Sequence, residues 1–73
     1  MRISYDREAD ALSILFEETT VTNEKIAEGI AVEYDAQGKV AGIEIFDAME
    51  RLGNRDTLNK IIFEGIGPMP MAA

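Results

Sequence analysis

The sequence predicts an α+β fold: a four-stranded antiparallel β-meander of two hairpins, followed by one or two short C-terminal helical segments. Three observations carry the prediction. First, one phrase is written twice. Ile3-Ser4-Tyr5-Asp6 leads through Arg7-Glu8-Ala9-Asp10 into Ala11-Leu12-Ser13-Ile14-Leu15-Phe16, and Val32-Glu33-Tyr34-Asp35 leads through Ala36-Gln37-Gly38-Lys39 into Val40-Ala41-Gly42-Ile43-Glu44-Ile45-Phe46. Second, apolar and polar residues alternate in both copies, the period of a strand with one buried face. Third, a capping-box spacing followed by a terminating glycine, Asp47-Ala48-Met49-Glu50 with Gly53, comes after the strands.

In the first hairpin Ile3 and Tyr5 share a face with Leu12, Ile14 and Phe16, and Leu15 interrupts the polar face opposite. Residues 17–25 are polar, show neither period, and are expected to form a surface connection. The third strand is expected over residues 26–34, with Ile30, Val32 and Tyr34 on one side and a bulge at Gly29 near its start. Asp35-Ala36-Gln37-Gly38 fits a type I turn closed by a left-handed glycine. Val40 is out of phase with Ile43 and Ile45, which a bulge at Gly42 repairs.

After the sheet, Asp47-Ala48-Met49-Glu50 has the spacing of a capping box, and Gly53 stands where a short helix ends. Asp56 or Thr57 can cap a second helical segment with Leu58, Ile61 and Ile62 on one stripe, although Lys60-Ile61-Ile62-Phe63 also reads as a short strand. Helix is the expectation. One domain is therefore divided into a meander over residues 1–47, a helical segment over 48–64 and an irregular tail over 65–73, the tail docking on its own sheet or on a partner.

Composition narrows the function. Fourteen acidic residues against seven basic give a net charge of −7, which repels phosphate backbones and favours a basic protein partner over nucleic acid. A hydrophobic content of 47% is too high for a disordered acidic tail, so the charge lies on a folded surface. Cysteine and histidine are both absent, which removes disulfides, thiolate zinc sites and a histidine base. At this size a single core supplies only roughly 3–5 kcal/mol, and with those staples missing, oligomerisation is the one that remains. The N-terminus lacks an apolar leader and no apolar run approaches the ~20 residues of a membrane span, so a cytoplasmic protein is expected, away from membranes.

The residues Ile3-Ser4-Tyr5-Asp6-Arg7-Glu8-Ala9-Asp10-Ala11-Leu12-Ser13-Ile14, then Gly29-Ile30-Ala31-Val32-Glu33-Tyr34-Asp35 and Gly42-Ile43-Glu44-Ile45-Phe46-Asp47-Ala48, resemble a family of short prokaryotic proteins catalogued as domain of unknown function 2283. The resemblance covers roughly the first 50 residues. It departs at Arg7, where relatives usually carry Pro, and at Ser13, where they carry an aromatic or charged residue. It implies a small antiparallel sheet with a C-terminal helical piece and no established activity. Genes of this family often neighbour small toxin-like genes, which implies an antitoxin-like role by association.

The candidate sites are few. Asp6, Glu8 and Asp10 alternate and Glu17 stands further along, a spacing of acidic ligands that a calcium loop shares, but Ala11 replaces its glycine and no helices flank it. The solvated turn is the stronger reading. Tyr5 and Tyr34 precede Asp6 and Asp35 in equivalent places and read as core-edge residues with wet hydroxyls. Glu33 and Glu44 can lie close together, yet they alternate with core residues and are expected to face solvent. Arg51, Arg55 and Lys60 read as solvated helix ends, and Met49, Met69 and Met71 with Ile62, Phe63 and Ile66 as an adaptable apolar set. No nucleophile motif, cofactor signature or catalytic residue emerges. The expectation is a non-enzymatic, homo-oligomeric interaction module, with divalent-metal or small-ligand binding by the carboxylates of Asp6, Glu8, Asp10 or Asp47 as the alternative.

Overall fold

The computed structural model describes residues 1–54, 56–65, 67 and 68. It contains a single antiparallel sheet of five strands: β1 (Arg2–Asp6), β2 (Ala11–Leu15), β3 (Thr22–Ala27), β4 (Ile30–Tyr34) and β5 (Val40–Phe46), arranged β1-β2-β5-β4-β3. A one-turn helix α1 (Ala48–Arg51) and a 3-10 turn (Thr57–Asn59) come after the sheet.

The expectation of four strands is corrected to five. β3 takes its first four residues from the stretch expected to be a connection and its last two from the strand expected over residues 26–34, which is cut by a tight turn at Glu28-Gly29, where Gly29 has φ 76°. β3 escapes the periodicity argument for a physical reason. It is an edge strand with all six residues exposed, so neither side chain row is selected to be apolar. The order is not a plain meander either. β3, β4 and β5 are joined by hairpins, while the 16–21 connection carries the chain from β2 across to the far edge, so that β5 comes back beside β2 in a Greek key.

Register explains the two faces. Across all five strands, Ile3, Ile14, Ile43, Val32 and Glu24 form one row, and Tyr5, Leu12, Ile45, Ile30 and Ala27 form the next on the same face. The opposite face carries the row Ser4, Ser13, Glu44, Ala31 and Lys25. The phase change in β5 is a bulge, as expected, with Ala41 as the extra residue: Glu33 opposes Gly42, but Tyr34 opposes Val40. The Ala41 carbonyl accepts both the Phe16 amide at 2.8 Å and the Glu17 amide at 3.2 Å, which ties the end of β2 to the bulge.

Both turns of the repeated phrase are built by their aspartates. Asp6 Oδ1 accepts the amides of Glu8 and Ala9, and Asp35 Oδ1 accepts those of Gln37 and Lys39. Gly38 closes the second turn at φ 81°, its amide bonded to the Asp35 carbonyl at 3.0 Å. In the first turn, which has no glycine, Asp10 takes the left-handed conformation at φ 51°.

The helical segment expected over residues 48–64 shrinks to α1 and the 3-10 turn. Of the stripe expected there, Leu58 lies in the 3-10 turn and is half-buried, whereas Ile61 and Ile62, with Phe63 beside them, have no regular structure and are 60, 71 and 77% exposed. Three apolar neighbours in a row satisfy neither period when no surface faces them. Of the tail, Ile66, Met69 and Met71 lie outside the described residues, as does Arg55.

Two glycines separate conformational cost from steric cost. Gly38 has open space where a Cβ would stand, so Gly38→Ala is expected to lose about 1–2 kcal/mol from the left-handed backbone alone. At Gly29 a Cβ would also strike the Arg51 guanidinium. Urea denaturation is expected to show Gly29→Ala as the more destabilising, and a Gly29→Ala/Arg51→Ala double variant as recovering part of the difference.

Candidate interaction surface

Two of the three carboxylate candidates of the first turn, Asp6 and Asp10, are engaged in the fold. Asp6 bonds its own turn, Glu8 is exposed, and Asp10 reaches across the molecule. Asp10 Oδ1 accepts the Tyr5 hydroxyl at 2.6 Å and the Met49 amide at 3.1 Å, while the Asp10 carbonyl accepts the Ala48 amide at 3.0 Å. These bonds satisfy the orphan amides at the start of α1. The capping box expected from Asp47 is thereby corrected. Asp47 occupies the N-cap position in a left-handed conformation, φ 52°, and makes no side-chain capping bond. Asp10 supplies that bond from 39 residues away.

Tyr5 and Tyr34 are therefore not equivalent. Tyr5 donates to Asp10, and that hydrogen bond, then desolvation and the nearby carboxylate charge, raises its phenol above the usual 10.0. Among the described residues, no three acidic side chains gather as a metal site would need.

At the same end of the sheet, a shallow groove of about 300 Å³ lies between α1 and the β3–β4 turn. Its charges are matched internally. Lys25 Nζ meets Glu28 at 2.9 Å and holds the Glu28 carboxyl below its ordinary value, and Arg51 donates to the Phe46 carbonyl at 3.0 Å with Asp47 4.0 Å away. Lys60 is exposed.

Glu33 and Glu44 share the polar face as diagonal neighbours on β4 and β5, a separation of roughly 7–8 Å. Both are half-buried rather than fully solvated. The Glu33 carboxylate lies over Gly42, where a Cβ would sit 2.8 Å from its Oε1. The glycine at the bulge thus makes room for an acid on the sheet.

The apolar face is incompletely covered. Leu12 and Val32 at its centre are each 7% exposed, but Ile3 is 40% and Val40 47% exposed. No large side chain among the described residues is completely buried, and the two at zero exposure are alanines, Ala41 and Ala48. The sheet rows were legible in the sequence. The Asp10 contact to α1 was not, although an aspartate closing a glycine-free turn was a signal that it held an unusual backbone.

Because Asp10 does three jobs, Asp10→Ala is expected to cost about 2 kcal/mol through the lost cap and the strained left-handed alanine, measured by chemical denaturation. The Tyr5 contribution has a defined sign. Its folded value is raised, so the stabilisation is complete below pH 10 and is lost as pH rises through the folded value. In a Tyr34→Phe background, tyrosinate absorbance is expected to titrate above 10.0 and to move down when Asp10→Asn is added.

The comparisons with known proteins give a family and leave the function open. No curated protein and no solved structure matches the chain, and no helix among the described residues is long and apolar enough to cross a membrane. One family matches residues 2–48, a span that takes in all five strands, the Asp10 turn and the first residue of α1. The chain belongs to the family described as Protein of unknown function (DUF2283).

Proposed function

We propose that this chain is a non-enzymatic, homo-oligomeric interaction module whose acidic exterior neutralises a basic protein partner in the manner of an antitoxin. The observation that carries the oligomer is the unfinished burial of the apolar face. The chain exposes 6082 Å², whereas a compact monomer of its mass exposes about 4,500 Å². The chain thus leaves roughly 1,600 Å² more surface in water than such a monomer. Part of it belongs to Ile61, Ile62 and Phe63, whose exposure a second copy would reduce.

The basic partner is supported by the charge. Seven more acids than bases are spread over a surface whose ion pairs, such as Arg2 with Glu18 at 2.9 Å, leave most carboxylates unmatched. The reading as a binding protein rather than a catalyst rests on the residue inventory: without histidine or cysteine, acid–base work would fall to carboxylates, and Asp6 and Asp10 are engaged in turn and cap bonds.

Sedimentation velocity is expected to give a mass of at least two chains at micromolar concentration. Ile3→Glu changes a residue 40% exposed in the single chain, so it is expected to leave the fold intact while weakening association at least tenfold. A well-folded monomer at those concentrations would sink the oligomer. Co-expression with the product of the adjacent gene is expected to yield a complex that salt dissociates, since the attraction is between exposed charges. Absence of binding at low salt counts against the antitoxin-like role.

A further inference from the structure

We infer that two copies of this chain join edge to edge through β1, antiparallel about a two-fold axis at Ser4, into one ten-stranded sheet. The inference rests on the homo-oligomeric reading above and names the contact surface.

The two edges of the sheet are not alike. β3 carries Glu24 and Lys25 at its middle, an ion pair from Lys25 to Glu28, and a register shift between Lys25 and Ala27. Charges and bulges of this kind blunt an edge against further strands. β1 has none of these at its centre. It is paired with β2 in unbroken register over all five residues, its middle is the uncharged Ile3-Ser4-Tyr5, and among the described residues it pairs with β2 alone.

β1 is also complementary to itself. Laid antiparallel on a second copy with Ser4 opposite Ser4, it brings Ile3 opposite the other copy's Tyr5, and Arg2 opposite the other copy's Asp6, each pair occurring twice. Cross-strand pairs of opposite charge, and of aromatic with β-branched residues, are favourable on one face of a sheet. The alternatives are worse. Shifting the register by one residue sets Ile3 against the polar side of its partner, and shifting by two sets Arg2 opposite Ser4 in one direction and beyond the end of the partner strand in the other. Arg2 already meets Glu18, but both are about two-thirds exposed, and a guanidinium has donors for both acids. The two-fold keeps both apolar faces on the same side, so the rows through Ile3 and Tyr5 run on into the second copy.

The chain has no cysteine, so one introduced thiol reads the geometry directly. Directly opposite residues of an antiparallel pair stand about 4.5–5.5 Å apart between Cα atoms, within disulfide range. Mild oxidation of dilute Ser4→Cys protein is expected to convert most of it to a covalent dimer on a non-reducing denaturing gel, whereas Asn23→Cys on β3 stays at single-chain mass. Arg2→Glu is expected to raise the dissociation constant about tenfold, each favourable pair becoming a repulsive one. If the protein is oligomeric before oxidation but Ser4→Cys does not cross-link, or Asn23→Cys cross-links as fast, the β1 pairing is overturned and the oligomer stands. An unchanged dissociation constant for Arg2→Glu overturns it too. A monomeric starting protein overturns both readings.

Discussion

Everything in this fold hangs on the seam between β2 and β5. The β1–β2 hairpin and the β3–β4–β5 meander are each local, and hydrogen bonding between β2 and β5 is what makes them one sheet. The seam is fastened at both ends. At one end the bulged Ala41 carbonyl takes the amides of Phe16 and Glu17; at the other, Asp10 takes those of Ala48 and Met49. Five paired positions lie between these fasteners, with Leu12 opposite Ile45 and Ile14 opposite Ile43 on the apolar side. A helix of four residues cannot stabilise itself, since one turn costs more order than its hydrogen bonds return. α1 therefore exists because the seam's end holds its first amides.

The same seam explains why the molecule has two unlike faces. In-phase pairing collects isoleucines, leucine and valine into adjacent rows and sends serines and glutamates to the other side. Beyond the 3-10 turn, Ile61, Ile62 and Phe63 stay exposed. Hydrophobic surface left in water at this scale is the ordinary mark of a contact surface.

Legibility in the sequence tracked burial. Strands β2 and β4, and β5 apart from its two end residues, have half-buried or buried side chains and announced themselves by alternation, and the Asp35–Gly38 turn was specified by residues that have few other uses. β3 was invisible because an edge strand exposed on both sides has no reason to alternate. The bulge was readable from the phase of Val40, although the extra residue is Ala41 rather than Gly42, whose lack of a side chain serves Glu33 instead. The cap on α1 was misread because a local partner, Asp47, had the right spacing. Spacing cannot reveal that a distant aspartate already fills the role.

The inequality of the two edges has a last consequence, for solubility. A sheet open on both sides can recruit copies without end and grow into a fibre, because each addition presents a new edge like the one it covered. Here the β3 side is bent by its bulge and studded with charge, so any growth is confined to the β1 side. An isologous contact on that side consumes the open edge of both molecules and presents only blunted ones. A sheet joined in that way would leave polymerisation nowhere to continue, the charges of β3 guarding both of its remaining edges.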